Sequence, residues 1–352
     1  MKQIEQLITL AQERNASDIH IVTGAPIKFR IDGSLENESE EICTKEQCIA
    51  YAKELANDQY SKIEHMGELD LASTIQNRRV RMNIFHQQGS ISISLRVLAD
   101  TIPELKDLGL PPIVQEFARY NKGIILVTGE TGSGKSTTLA ALLDQINHSR
   151  KQHIITLEDP IEYIYQPDLC LINQREIGTD TESYNSGLKA ILREDPDIIL
   201  IGEMRDSSTI ETALTAAETG HLVFATLHTN SAVDSIDRIV GTFPAEKQGQ
   251  IRLQLSTTLK AVLSQQLLVR KQGKGRVAAC EVMVTTPAIR NMIRDGKTPQ
   301  MQSALLASTN LGAISMDNCL IKMVKEGLIS GTTAVEAAND SEYVKKNGMV
   351  RM

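Results

Sequence analysis

One short stretch limits the possible folds of this chain more than any other. Residues 123–138 read GIILVTGETGSGKSTT, so a run of four apolar residues leads directly into a glycine-rich loop. The pattern Gly-x-x-x-x-Gly-Lys-Ser between a buried strand and a helix is typical of a phosphate-binding loop. Its glycines let backbone N–H groups turn towards a phosphate, and the N-terminus of the following helix adds positive potential. The sequence therefore predicts an α/β domain that binds a nucleoside triphosphate.

The positions of this loop have distinct expected roles. Lys135 would neutralise the β- and γ-phosphates, and the Ser136 hydroxyl would coordinate Mg²⁺. The residues expected to hold the nucleotide are Gly129, Glu130, Thr131, Gly132, Ser133, Gly134, Lys135, Ser136 and Thr137.

Further apolar runs follow at residues 154–157, 198–201 and 222–225. Their spacing is typical of a parallel sheet with helical crossovers. Ligands of such sheets bind at the carboxyl ends of the strands, so the residues that follow each run are the candidates for chemistry.

Carboxylates follow two of these runs. Phosphoryl transfer to water needs a divalent cation, a group that orients or deprotonates the water, and positive charge for the transition state. Glu203 is the predicted general base, because it comes one residue after a fully apolar strand. Gly202 stands where an Asp usually closes such a strand, so Glu158 or Glu203 acting through water could complete the metal site. The expected Mg²⁺ ligands are therefore Ser136, Glu158 and Glu203.

Three other side chains near these runs are weaker candidates. His228 follows the fourth run, where an imidazole could sense the γ-phosphate or polarise water, and His221 precedes that run. A histidine in a globular domain is more often structural, but the pair favours a catalytic role. Glu162 lies close to Glu158 in an acidic cluster, and such a cluster is equally compatible with a solvated surface.

The N-terminal part has a different pattern. Residues 2–14 show the i, i+3, i+4, i+7 apolar spacing of an amphipathic helix. Strands are predicted at 19–22, 27–31, 69–72, 79–85 and 91–97, and helices at 45–55 and 58–65. We predict an α+β domain at residues 1–101, a proline-bearing linker at 102–112 and the nucleotide-binding domain at 113–352. In that last domain, residues 251–263 are predicted as one amphipathic helix and 276–284 as a strand.

Positive charge concentrates in two of the predicted N-terminal strands. Arg79 and Arg81 lie in the strand predicted at 79–85, Arg78 comes directly before it, and Arg96 lies in the strand predicted at 91–97. These arginines are compatible with a solvated strand surface. Alternatively, Arg81 and Arg96 reach a phosphate held by a neighbouring subunit. The residues alone leave both interpretations open.

Composition excludes several classes of protein. The formal net charge of −7 argues against broad electrostatic binding of nucleic acid, and an aromatic content of 3% without Trp argues against base stacking. No apolar run approaches the roughly 20 residues that cross a bilayer, and the first residues lack the apolar core of a signal peptide. The five cysteines include no Cys-x-x-Cys pair, so we expect reduced, mostly buried thiols in a cytoplasmic protein.

Four motifs taken together in order resemble one family. They are GETGSGKST (129–137), ITLEDPIEY (155–163), DPDIILIGEMRD (195–206) and GHLVFATLHTNSA (220–232). They resemble the Walker A, Asp box, Walker B and His box of the secretion-type ATPases that power type II secretion and type IV pili. The segments ASDIHIVTGAPIKFRIDG, RRVRMNIF, ISLRV, LSQQLLVR and PAIRNMIRDGK also resemble this family, so the likeness covers nearly the whole chain. The compact N-terminal domain and the lack of a tetracysteine segment resemble the pilus retraction motors most.

The resemblance implies a fold and a function. The fold is a small N-terminal α+β (PAS-like) domain followed by a RecA-like P-loop ATPase domain. The implied activity is Mg²⁺-dependent ATP hydrolysis by a ring-shaped homohexamer that retracts type IV pili through an inner-membrane platform protein. It implies a cytoplasmic location at the inner face of the cytoplasmic membrane, with no nucleic-acid partner. By motif match, Glu203 is the catalytic glutamate, His221 and His228 are the His box, and Arg81 and Arg96 are the arginines that close on phosphate. Alternatives are a pilus extension or secretion motor, and an ATP-binding regulator without sustained turnover.

Overall fold

The computed structural model describes residues 3–31, 33–76, 78–98, 101–272 and 275–348. Contacts divide the chain into two compact units, of which the smaller consists of Met1–Thr101 with Pro160–Ile164 and the larger of Ile102–Asp159 with Tyr165–Met352. Across the described ranges, no helix is both long enough and apolar enough to cross a membrane. All five cysteines lie in these ranges and are free and buried, as predicted.

The smaller unit is an antiparallel sheet that packs on helices. Its described strands form one sheet in the order β3-β2-β1-β6-β5-β4. The elements are α1 (Ile4–Glu13), β1 (Ala16–Val22), β2 (Pro26–Ile31), β3 (Ser34–Ile42), α2 (Lys45–Ala56), α3 (Tyr60–Met66), β4 (Glu68–Ile75), β5 (Arg78–Gln87) and β6 (Ser90–Val97). Alternate strand residues such as Ile19, Ile93 and Ile84 pack with Leu7 of α1 and Tyr51 of α2 in one apolar core. The alternation that predicted these strands therefore reflects one buried and one polar face.

The predicted helices and strands of this unit are confirmed, but one strand was missed. The segment SLENESEEI forms β3, which lies at the edge of the sheet and pairs with β2 alone among the described strands. Most of its side chains are exposed, so it carries no apolar alternation for sequence analysis to detect. Charged side chains on an edge strand also discourage pairing with another chain.

The larger unit is built around a mostly parallel sheet in the order β13-β12-β7-β11-β10-β8-β9, as far as the described strands show. Its strands are β7 (Gly123–Thr128), β8 (His153–Glu158), β9 (Leu171–Glu176), β10 (Ile198–Ile201), β11 (Leu222–Leu227), β12 (Leu259–Val269) and β13 (Arg276–Val284). The four apolar runs are confirmed as β7, β8, β10 and β11, which pair in parallel with one another in the order β7-β11-β10-β8. Their carboxyl ends therefore lie side by side at one edge of the sheet.

Helices cover this sheet and form a C-terminal cluster. They are α4 (Ile113–Glu116), α5 (Lys135–Asn147), α6 (Tyr184–Ile191), α7 (Ser207–Glu218), α8 (Ala232–Gly241), α9 (Ala245–Thr258), α10 (Pro287–Asp295), α11 (Met301–Leu306), α12 (Met316–Lys325), α13 (Gly331–Ala337) and α14 (Ser341–Asn347). The last three pack against β13 through a core that includes Val277, Leu320 and Val344.

The prediction of one helix over residues 251–263 was wrong at its C-terminal end. The helix ends at Thr258, and Leu259 begins β12, which is hydrogen-bonded to β7 on one side and β13 on the other. A central strand is buried on both faces, so its apolar residues run on without alternation and also fit a helical spacing.

The segment 102–112, predicted as a linker, contains a short 3-10 helix at Leu105–Leu108. Leu105 is buried and the segment belongs to the larger unit. A linker role for these residues stays a prediction.

Candidate active site

The phosphate-binding loop connects the fully buried strand β7 to α5. Gly129 and Gly134 have φ angles of +142° and +89°, which side chains rarely adopt. A Cβ atom at Gly134 would also lie 2.7 Å from the Gln265 side-chain nitrogen. Glycine is therefore required at this position by both conformation and space.

Lys135 lies along the inside of this loop. Its Nζ atom donates to the Gly129 carbonyl oxygen at 2.6 Å and to the Glu130 carbonyl oxygen at 2.8 Å. The side chain is buried, whereas Ser136 next to it is exposed. The loop thus holds its cation in place and leaves the hydroxyl at the start of α5 accessible.

Gln265 of β12 braces the loop, and sequence analysis assigned it no role. Its amide nitrogen donates to the Ser133 carbonyl oxygen at 2.8 Å, and its amide oxygen accepts from the Thr138 hydroxyl at 2.8 Å. Gln265 is buried, so these bonds form away from competing water. The signal lay in the segment LSQQLLVR, where a polar pair interrupts an apolar run.

Glu203 follows β10 and lies between two basic side chains. One carboxylate oxygen is 2.7 Å from an Arg205 guanidinium nitrogen, and the other is 3.3 Å from Nε2 of His228. Burial acts to raise the pKa of Glu203, but the hydrogen bond from Arg205 and the charges of His228 and Arg205 lower it below its ordinary value. The structure therefore brings together Glu203 and His228, both of which are candidates from the sequence, and adds Arg205.

Gly202 lies in a crowded position. A Cβ atom there would lie 2.9 Å from the Tyr184 hydroxyl oxygen and 3.0 Å from the Leu157 carbonyl oxygen. Burial, and then the charges of Asp159 and Glu203, raise the pKa of Tyr184, so its hydroxyl stays protonated at neutral pH. An aspartate side chain would not fit in this space, which explains the glycine that sequence analysis found unusual.

Glu158 lies at the carboxyl end of β8, on the same sheet edge. Its Oε1 atom accepts hydrogen bonds from the Thr156 hydroxyl at 2.6 Å and from the Gln174 amide at 3.2 Å. Glu162 lies in the segment Pro160–Ile164, which packs with the smaller unit. The structure therefore groups these two carboxylates with different units.

His221 and His228 lie at opposite ends of β11. The strand runs from Leu222 to Leu227, so the two residues are separated by roughly 20 Å along it. His221 Nδ1 is bonded to the Ala216 carbonyl oxygen at 2.9 Å. Within one chain, His221 does not join the site around Glu203.

Arg79, Arg81 and Arg96 lie on one face of the sheet in the smaller unit. Arg81 and Arg96 are direct cross-strand partners on β5 and β6, and Asp18 on β1 is the partner of Arg96 on the other side. Arg96 Nε donates to a carboxylate oxygen of the buried Asp18 at 2.8 Å. Arg79 donates to the Ile161 carbonyl oxygen at 3.1 Å. The structure thus gives Arg96 and Arg79 partners within their own unit.

A cavity of about 490 Å³ adjoins the phosphate-binding loop. It is lined by loop residues 130–133, by Leu267 and Leu268 of β12, and by Arg276 and Glu336. Its position beside the loop and its mixed apolar and polar lining suit the nucleoside part of a nucleotide.

The oxygen donors of the site fit Mg²⁺. In nucleotide sites this ion keeps several waters and takes one or two protein oxygens together with phosphate oxygens. The Ser136 hydroxyl and the strand-end carboxylates Glu158 and Glu203 are donors of that kind. Among the described residues, no group of three or more His, Cys, Asp or Glu side chains is arranged to hold a metal ion.

Comparison with known proteins gives the family. A model described as type II/IV secretion system protein matches residues 1–335. The chain belongs to that family. The chain is 44% identical over 341 residues to the type IV pilus retraction ATPase PilT of Pseudomonas aeruginosa. This match covers 96% of the chain and 99% of that protein. The chain is also 46% identical over 288 residues to a twitching motility protein of Neisseria gonorrhoeae. That match covers 81% of the chain and 77% of the protein.

One solved structure matches the secretion-family chain along nearly its whole length. The crystal structure of the pilus retraction motor PilT with bound ADP superimposes with a TM-score of 0.92 at 44% identity, and the match covers 98% of this chain and 100% of the other. The predicted family and the predicted fold class, a small α+β domain with a P-loop ATPase domain, are confirmed.

Proposed function

We propose that this chain is an ATPase motor that hydrolyses ATP to retract type IV pili. The observation that carries the proposal is the convergence of Lys135, Glu203 and His228 on the strand-end edge of one parallel sheet, in a chain that is 44% identical over 341 residues to a pilus retraction ATPase. The buried lysine suits phosphate binding, and the carboxylate, held by Arg205 and His228, suits water activation.

Nucleotide binding follows from the loop. The N–H groups of residues 129–137 and the Lys135 ammonium would hold the phosphates, and the adjoining cavity would take the nucleoside. Lys135 would exchange its two carbonyl partners for phosphate oxygens, which are stronger acceptors because they are charged.

Glu203 is the proposed residue for water activation. Because its pKa is lowered, the carboxylate is ionised at neutral pH and accepts a hydrogen bond from the attacking water. His228 and Arg205 fix its two oxygens, so the carboxylate orients the water without further rearrangement. Mg²⁺, held by Ser136 with Glu158 or Glu203 through water, would neutralise charge on the phosphates.

The proposed working assembly is a homohexamer. Arg81 and Arg96 would close on the phosphates of a nucleotide and supply positive charge to the transition state, and ATP would draw the two domains together until phosphate leaves. The motor would act at the inner face of the cytoplasmic membrane, on a platform protein of the pilus machinery. His221 lies at the far end of β11 from the Glu203 site, and Glu162 belongs to the other unit. We propose that both residues make contacts on assembly or domain closure.

Replacing Lys135 tests nucleotide binding. Lys135→Ala should weaken ATP affinity by roughly 100-fold or more, because a charged hydrogen-bond partner of the phosphates is lost. The measurement is titration with a fluorescent ATP analogue. Lys122→Ala, an exposed lysine just before β7, is the matched control and should bind like the wild type. Unchanged affinity in Lys135→Ala would overturn the assignment of the phosphate-binding loop.

A further inference from the structure

Glu281 of β13 is a carboxylate in the interior of the larger unit. It is fully buried, and neither sequence motifs nor the proposed chemistry assign it a role. One of its oxygens accepts the backbone N–H of Ala232 at 2.8 Å, and the other accepts the backbone N–H of Met316 at 3.3 Å. A single side chain therefore bonds two separate segments.

Both segments are helix N-termini. Ala232 is the first residue of α8 and Met316 is the first residue of α12. The first N–H groups of a helix have no partner inside the helix, and the positive end of the helix dipole favours an anion there. These two dipoles stabilise the buried carboxylate, and the carboxylate in turn fixes the starts of α8 and α12 relative to β13.

Helix α8 begins directly after the segment 228–231, which reaches the active site at two points. His228 Nε2 lies 3.3 Å from Glu203, and the Asn230 amide donates to Glu130 of the phosphate-binding loop at 3.2 Å.

The same segment is anchored on the first turn of α8. The Ser231 hydroxyl accepts the Asp234 N–H at 3.0 Å, and the Thr229 hydroxyl bonds that of Ser235 at 2.7 Å. The position of His228 therefore depends on where α8 begins.

We propose that Glu281 is a positioning residue, which holds His228 and Asn230 in place through the start of α8 and ties them to the C-terminal helices through the start of α12. This inference rests on the proposed ATPase function. It predicts that the C-terminal helices influence hydrolysis through a carboxylate that never touches the nucleotide.

The first test is Glu281→Gln. The substitution keeps the shape of the side chain. The amide oxygen can still accept one backbone N–H, but the amide NH2 group is a donor and cannot accept the other, so one of the two hydrogen bonds is lost. We expect kcat for ATP to fall by about 10- to 100-fold, as for a displacement of about 1 Å at a reacting group. KM and the affinity for a fluorescent ADP analogue should stay within about twofold, since Lys135 and the loop keep their own contacts.

Two further variants separate positioning from general stability. Asp317→Asn is the matched control, because Asp317 lies on α12 and also accepts two backbone N–H groups, but from Asn339 at 2.8 Å and Asp340 at 3.1 Å and not from α8. Its kcat should equal that of the wild type. Ala232→Pro removes the backbone N–H that α8 donates to Glu281. Ala232 is the first residue of the helix, a position where proline is favoured, so the helix should still form. We expect this variant to lower kcat as Glu281→Gln does.

The outcomes are distinct. Loss of kcat at unchanged nucleotide affinity in Glu281→Gln and Ala232→Pro, with Asp317→Asn normal, supports the positioning role. Normal kcat in a folded Glu281→Gln, or equal loss in Asp317→Asn, overturns it. If Glu281→Gln does not fold, Ala232→Pro decides by the same criterion. A wild-type protein that binds no ATP would instead overturn the proposed function itself.

Discussion

Glu203 combines features that a carboxylate needs for orienting water. It is only 17% exposed, so its contacts with Arg205 and His228 lie in a medium less polar than bulk water. Arg205 and His228 each bond a different oxygen, which fixes the plane of the carboxylate. Glu203 was predicted from its place one residue after an apolar strand and from the match to a Walker B motif, whereas Arg205 has no such sequence signature and was not predicted.

The role of Glu203 is tested by Glu203→Gln. The amide keeps the size of the side chain but is a far weaker acceptor, so kcat should fall by roughly 100-fold or more while ATP still binds. Hydrolysis is measured by phosphate release and binding by a fluorescent ATP analogue. Turnover near that of the wild type would remove Glu203 from the mechanism.

The phosphate-binding loop depends on a neighbouring strand as well as on its own sequence. Strand β12 was missed because its first apolar residues, Leu259, Val262 and Leu263, fit a helical spacing as well as a buried strand. Gln265 could not be placed next to Ser133 and Thr138 from sequence, since more than 120 residues separate them along the chain. The loop itself was predictable, because its Gly-x-x-x-x-Gly-Lys-Ser pattern is local in the sequence and its glycines adopt positive φ angles.

Gln265→Ala should therefore weaken nucleotide binding. The variant removes both braces of the loop, and we expect about a tenfold loss of ATP affinity, or ~1.4 kcal/mol. Thr138→Val removes one of the two bonds and should give a smaller loss in the same direction. Isothermal titration with ATP measures both; wild-type affinity in Gln265→Ala would show that the brace does not shape the loop.

In the smaller unit, the Asp18–Arg96 pair connects β1 to β6. Burial acts to raise the pKa of Asp18, but hydrogen bonds from Ser17 and Arg96 and the Arg96 charge lower it below its ordinary value of 3.8. Since the folded pKa is depressed, the stabilisation is complete above the unfolded pKa and is lost as the pH falls through the folded pKa.

Asp18→Asn should accordingly destabilise β1 and β6 at neutral pH and much less in acid. We expect about 1–2 kcal/mol at pH 7, at the lower end for a charged hydrogen bond because Arg96 is 63% exposed. Hydrogen exchange of β1 and β6 peptides, corrected for intrinsic rates at pH 7 and pH 3, measures the effect. A difference that does not shrink at pH 3 would contradict the assigned linkage.

The residues that we propose for ATP hydrolysis come from both units of the chain. The larger unit holds the phosphate-binding loop and Glu203, and the smaller unit holds the paired arginines Arg81 and Arg96. Family and fold were predictable because four motifs occur in order along the chain. The partners of the arginines were not predictable from the sequence, because the register of the strands decides which residues are neighbours. A shift of one residue in that register turns every side chain to the other face of the sheet.

The proposal that this chain works as an assembled motor is tested by measuring ATP hydrolysis at increasing protein concentration. Light scattering on the same samples gives the molecular mass. We expect turnover per chain to rise as the proposed hexamer forms, because neighbouring chains would complete the site with Arg81 and Arg96. Full turnover per chain in a monomer would contradict it, leaving an ATPase but no ring motor for pilus retraction.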